Sequence, residues 1–127
     1  MRFQMPNYPC EFELPNQWVV ESGLSTFMPT TSAYNSTSSA VLTPLNEIEP
    51  PIRKREVEKD WRGFGRKRMI RVMSGVVTGA EIEPVPLREL DDDGNPAAPF
   101  RYRVRDGFHR FYASVAAGFS HLPAIIL

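Results

Sequence analysis

The sequence predicts a small α/β (α+β) domain, a mixed sheet with helices packed on it, and three stretches carry that expectation. Residues 100–127, FRYRVRDGFHRFYASVAAGFSHLPAIIL, read as strand, tight turn, helix and strand. Residues 69–86, MIRVMSGVVTGAEIEPVP, read as helix, glycine stop and strand. Residues 40–45, AVLTPL, read as a short strand that precedes both. Strands alternating with helices of this length are the pattern of a layered α/β unit.

The first 40 residues read differently. Pro6, Pro9, Pro15 and Pro29 interrupt helices, and serine and threonine crowd residues 25–39. Composition of that kind marks a disordered leader. Tyr8, Phe12, Trp18, Val19, Val20, Phe27 and Tyr34 argue against it, because a solvated tail has no use for so much apolar surface. The expectation is an irregular arm over residues 1–40, with one short strand at residues 18–21, packed on a 41–127 domain or on a second subunit of a homodimer.

In the 40–45 strand, Pro44 lacks an N–H and so belongs at a sheet edge or a strand end. Glu47 and Glu49 stand at its exit, and Pro50 and Pro51 stiffen the chain beyond them. Nine of the fifteen basic residues then fall between Arg53 and Arg71, which gives a neutral chain one concentrated region of positive charge. Residues 53–60 read as a short solvated helix. Met69, Ile70, Met73, Val76 and Val77 recur at helical spacing, which turns Lys67, Arg68 and Arg71 outward. Arg62 and Arg66 are less easily explained. They flank Gly63, Phe64 and Gly65, where glycine lets backbone approach a ligand and an aromatic ring can stack on it, so they are candidate binding residues.

Gly79 suits the end of the second helix, and Ile82, Pro84, Val85, Pro86 and Leu87 suggest the next strand. Asp91, Asp92, Asp93, Gly94, Asn95 and Pro96 form a turn by composition, joining that strand to the one at residues 100–104. They do not continue into the spacing of a calcium-binding loop. In the last stretch Phe100, Tyr102 and Val104 alternate with Arg101, Arg103 and Arg105, the period of a half-buried strand. Gly107 permits the turn, and Phe111, Tyr112, Val115, Ala116 and Phe119 lie along one side of a helix. Gly118 stops it and Pro123 lies beyond, in the final strand.

A helix that opens directly after a glycine turn offers unpaired N–H groups and the positive end of its dipole to an anion. His109 and Arg110 lie on that first turn, so Asp106, Gly107, Phe108, His109 and Arg110 form the candidate phosphate-binding turn. Arg110 suits bidentate contact with phosphate oxygens, or a buried pair with Asp106 or Glu47. His109 either faces the anion or hydrogen-bonds a backbone group. Asp106 either caps the helix or orients His109, and the cap is the simpler role. Two histidines and the single Cys10 give no metal-binding spacing, and one cysteine excludes an internal disulfide.

At 127 residues and zero formal net charge, the chain suits one compact domain and lacks the basic excess of a nucleic-acid coat. It shows neither a signal-peptide core nor an apolar run of membrane-spanning length, which predicts a soluble cytoplasmic protein.

The Asp106-Gly107-Phe108-His109-Arg110 turn, its alanine-rich helix and the Pro123 strand resemble the ParB/sulfiredoxin-like superfamily. Leu45 to Pro51 resembles that family's first strand and exit, and residues 69–86 its helix, glycine cap and subsequent strand. The resemblance spans residues 41–127 and implies a nucleotide ligand, ATP or CTP, for whose magnesium carboxylates such as Glu47 and Glu49 plus phosphate oxygens would suffice. Sulfiredoxins carry a cysteine nucleophile where Phe108 stands here, so the resemblance does not extend to their reductase chemistry. Partition-type ParB proteins bind CTP with this domain and read DNA with a helix-turn-helix placed after it. The sequence stops at Leu127, directly after the last strand, so DNA binding is the least expected role. Small-molecule kinases of the superfamily share the turn and use a glutamate near the first strand, which implies Glu47 or Glu49 as a catalytic base. The expected function is therefore binding of a nucleotide or phosphorylated small molecule, with a kinase or nucleotide hydrolase as the alternative.

Overall fold

A computed structural model of the chain describes residues 1–6, 10–52, 60–90 and 100–127. Residues 53–59 and 91–99, on which the short basic helix and the aspartate-rich turn are expected, lie outside the described residues, as does Tyr8. The described residues form a mixed α+β structure of seven strands and three α-helices. In chain order these are β1 (Arg2–Gln4), β2 (Glu11–Glu13), α1 (Asn16–Glu21), β3 (Val41–Pro44), β4 (Ile48–Glu49), α2 (Arg66–Thr78), β5 (Val85–Glu89), β6 (Tyr102–Val104), α3 (Phe108–Ala117) and β7 (His121–Ile126).

Five strands make one sheet in the order β3-β7-β5-β6-β4. The β3–β7 and β5–β6 pairs are antiparallel, whereas β5–β7 and β4–β6 are parallel. β3 is an edge strand, as Pro44 requires. Alternation then sorts the side chains. Val85, Leu87, Leu122 and Ala124 are wholly buried on the inner face, while Arg88, Arg103 and Ile125 are exposed on the outer one.

α2 and α3 pack against each other. In α2, Met69, Met73 and Val76 are buried and Lys67, Arg68 and Arg71 are exposed, which is the arrangement the 3.6-residue period demands. Both helices end on a left-handed glycine, Gly79 at φ 75° and Gly118 at φ 87°, whose N–H returns to the last turn. α3 is buried nearly all round: His109, Phe111, Tyr112, Ala113, Ser114 and Ala117 are all inside. Its surroundings include the N-terminal segment as well as α2 and the sheet.

The described residues among the first 40 contribute to this core. Met5, Phe12, Leu14, Trp18, Val19, Leu24 and Tyr34 share one apolar cluster with Phe64, Met69, Phe111 and Tyr112. β1 and β2 form a hairpin with Phe3 opposite Phe12. The strand expected at residues 18–21 is instead the helix α1. A strand would place Trp18 and Val20 on one face, but the structure buries Trp18 with Val19 and leaves Val20 65% exposed. Pro15 begins the turn at φ −55°, already suited to a helix start, and its carbonyl accepts the Trp18 N–H at 3.0 Å.

Candidate functional site

The turn into α3 is built on Gly107, which is buried and adopts φ 127°. A side chain there would meet Val85 of β5, so the turn sits directly on the inner face of the sheet. The helix it opens has no side-chain cap. Asp106 does not supply the expected one: it is exposed, and its backbone carbonyl faces the Arg110 Nη2 at 3.5 Å. The cap position itself is Gly107, and Asp106, one residue upstream, makes no cap hydrogen bond with its carboxylate.

Arg110 spends its guanidinium on backbone. Nη1 donates to the carbonyls of Glu83 at 3.1 Å and Pro84 at 2.9 Å, the two residues that lead into β5. Of the alternatives open from sequence, neither a carboxylate pair with Asp106 nor one with Glu47 forms. The planar fork ties the α3 turn to the entry of the neighbouring strand, and the Tyr34 hydroxyl donates to the same Glu83 carbonyl at 2.7 Å. Replacing Arg110 with methionine, which keeps much of the stem but no donor, is expected to cost about 2–3 kcal/mol in denaturant unfolding. Lysine at this position should recover only part of it, because a point charge cannot serve both carbonyls with the same geometry.

His109 is buried, and its Nε2 accepts the Gly65 N–H at 3.0 Å. In this contact Nε2 carries no proton. The bond links the start of α2, where Gly65 is the cap residue, to the start of α3, so the two helix N-termini meet through one imidazole. Phe64 fills the space beside it, with ring centroids 5.2 Å from both Phe108 and Tyr112 and 6.1 Å from His109. Asp60 satisfies the first amide of α2, accepting the Arg66 N–H at 2.7 Å. Sequence reasoning misses that role because Asp60 lies six residues upstream of Arg66, too far for an ordinary capping box.

The remaining candidates face other partners. The guanidinium of Arg66 pairs with Glu21 at 2.6 Å, and Arg62 pairs with Glu13 at 3.7 Å while lying over the Trp61 ring. Both pairs are exposed and join the glycine-rich loop to the N-terminal segment, so each contributes little to stability. Arg62 also holds the left-handed region at φ 44°, a conformation that few non-glycine residues adopt. Glu47 and Glu49 meet β6 and the residue before it, through Arg101 at 3.9 Å and Arg103 at 3.0 Å. The structure thus gathers Gly107, Phe108, His109 and Arg110 with Phe64 and Gly65, and turns the side chains of Arg62, Arg66, Glu47 and Glu49 to partners elsewhere.

Among the described residues no three His, Cys, Asp or Glu side chains stand together as a metal-binding group. No helix among them is long and apolar enough to cross a membrane. Burial raises the Tyr34 phenol above its usual range, against the opposing charge of Arg110 and with a further push from Glu83. The folded state therefore holds that proton more tightly than the unfolded chain does. Its contribution is complete below about pH 10, the ordinary tyrosine value, and is lost as pH climbs beyond it. Tyr34→Phe is expected to cost about 1 kcal/mol at neutral pH and to weaken the alkaline fall of the stability curve.

The fold and the turn define a small mixed α+β domain with a glycine-initiated helix at its centre. No family model, no curated protein and no solved structure matches the chain.

Proposed function

We propose that the chain is a binding module of the ParB/sulfiredoxin-like kind, which takes the phosphate of a nucleotide or other phosphorylated small molecule at the start of α3. The observation that carries this reading is the meeting of two glycine-started helices. The His109–Gly65 bond holds the N-terminus of α2 against that of α3, whose first turn has no side-chain cap. The α2 end is already met by the Asp60 carboxylate at the Arg66 N–H, so it is the uncapped first turn of α3 that favours an added anion. Arg110 supports the site by holding the turn on Glu83 and Pro84, so backbone amides rather than its guanidinium meet the ligand. His109 likewise acts by position.

A phosphate fits this arrangement through its backbone, and a nucleotide would bring magnesium with its own phosphate oxygens as ligands. Binding is favoured over turnover because the two glutamates that a kinase or hydrolase would use pair with Arg101 and Arg103.

The test is a titration of ATP, CTP and inorganic pyrophosphate, each with and without magnesium, monitored by amide NMR shifts and by thermal unfolding. A ligand at this site moves the amides of Gly65, Phe108 and His109 first. It also stabilises the fold by about 2.7 kcal/mol at a hundredfold excess over Kd. Shifts confined to other parts of the chain, or none with any of the three, would remove the proposal. Turnover that Glu47→Gln or Glu49→Gln abolishes while binding persists would replace it with the enzyme reading.

A further inference from the structure

We propose that the outer face of the main sheet, centred on Arg88, Arg103, Arg105 and Ile125, docks a partner protein through a segment carrying carboxylates beside apolar side chains. The first support is register. Arg88 of β5 stands directly opposite Arg103 of β6. Like charges at opposed positions destabilise a sheet, so the pair opposes folding of the isolated chain and asks for a counter-charge. The Arg105 N–H bonds the Pro86 carbonyl at 3.0 Å, which extends the β5–β6 ladder and sets Arg105 on the same face, two residues from Arg103.

The second support is the incomplete neutralisation. Arg103 donates from Nε to Glu49 at 3.0 Å, but neither Arg88 nor Arg105 has an ion pair among the described residues. Both are exposed.

The third is the apolar surface beside them. Ile125 of β7 is in register with Pro86 and is 44% exposed, and Leu42 on β3 is 53% exposed. Arginine forks next to exposed aliphatic groups are the composition of a protein interface, and a guanidinium accepts a carboxylate bidentately.

The same face argues against two other occupants. A single-stranded nucleic acid wants aromatic rings on which bases stack, and the β6 aromatic, Tyr102, alternates away from the arginine row. A second copy related by a twofold axis would set this arginine row against itself.

The experiment uses the full chain and three fluorescent probes: a synthetic peptide alternating glutamate with leucine, its lysine–leucine counterpart, and a single-stranded oligonucleotide. Binding is read by anisotropy for wild type, Arg88→Glu, Arg105→Glu and, as a control on α2, Arg71→Glu. The glutamate–leucine peptide alone should bind, and each sheet variant should weaken it at least about tenfold while Arg71→Glu leaves it unchanged. Arg88→Glu should at the same time raise Tm, since it converts an opposed like-charge pair into an opposite-charge one. Failure of that peptide to bind, an equal loss in Arg71→Glu, tighter binding of the oligonucleotide, or a lower Tm for Arg88→Glu would each overturn the proposal.

Discussion

Phe64→Ala is expected to be the most damaging single truncation in this chain. The side chain is wholly buried and meets rings from separate parts of the fold. Its ring lies 5.2 Å from Phe108 and Tyr112 on α3 and 6.3 Å from Phe12 on β2. The residue also closes its own turn, giving its N–H to Trp61 at 2.7 Å and accepting the Trp61 N–H at 3.2 Å. Alanine leaves a cavity where these rings converged, at a cost of about 3–5 kcal/mol. Against a total stability of about 5–15 kcal/mol, that removes a large share.

Denaturant unfolding should show a lower midpoint with an unchanged slope. Because Phe64 joins the N-terminal hairpin to α3, one transition is expected by every spectroscopic probe. An early separate melting of residues 1–40, or a midpoint equal to that of the wild type, would contradict this role.

Gly107→Ala is expected to come close behind, by a different mechanism. The backbone there holds φ 127°, a region that L side chains rarely adopt. A Cβ would stand 2.9 Å from Val85 Cγ1, 3.0 Å from Val85 Cγ2 and 3.2 Å from the Arg110 Nη2. Backbone strain of about 1–3 kcal/mol adds to overpacking of similar size. The neighbour cannot simply withdraw, because Val85 is fully buried and its strand is fixed by β7.

The two terms separate in a double-mutant cycle. Val85→Ala should recover the overpacking part of the Gly107→Ala loss and leave the dihedral part in place, appearing as a favourable coupling. Simple additivity of the two variants would mean that the methyl group finds room without Val85 moving.

Much of the scaffold is legible in the chain itself, and particular residues show why. Met69, Met73 and Val76 mark the buried side of α2, and Gly79 marks its end, because both signals depend only on the chain's own geometry. Pro44 places β3 at an edge for the same reason. α1 is not legible: two adjacent buried residues, Trp18 and Val19, fit neither a strand nor so short a helix until the core they enter is known.

The turn at Gly107 is legible as a turn, but its chemistry only in part. Arg110 carries the charge expected of an anion ligand. Nothing in its neighbours in sequence shows that the carbonyls of Glu83 and Pro84 would lie within 3.1 Å of it. The role of Asp60 at the start of α2 and the opposed pair of Arg88 and Arg103 are hidden equally, since a loop closure and a strand register produce them.

Local sequence sets where this chain bends, which faces of α2 and β6 are apolar, and that a glycine must open the central helix. By contrast, α3 is buried nearly all round, and its Val115 and Ala116 are only half-buried. Packing of distant segments sets the rest: the first 40 residues join the core, His109 links two helix starts, and Arg110 binds backbone. The difference is one of range. Period, glycine and proline act through a few consecutive residues, whereas the partner of a buried imidazole or guanidinium is chosen by elements that meet from distant parts of the chain.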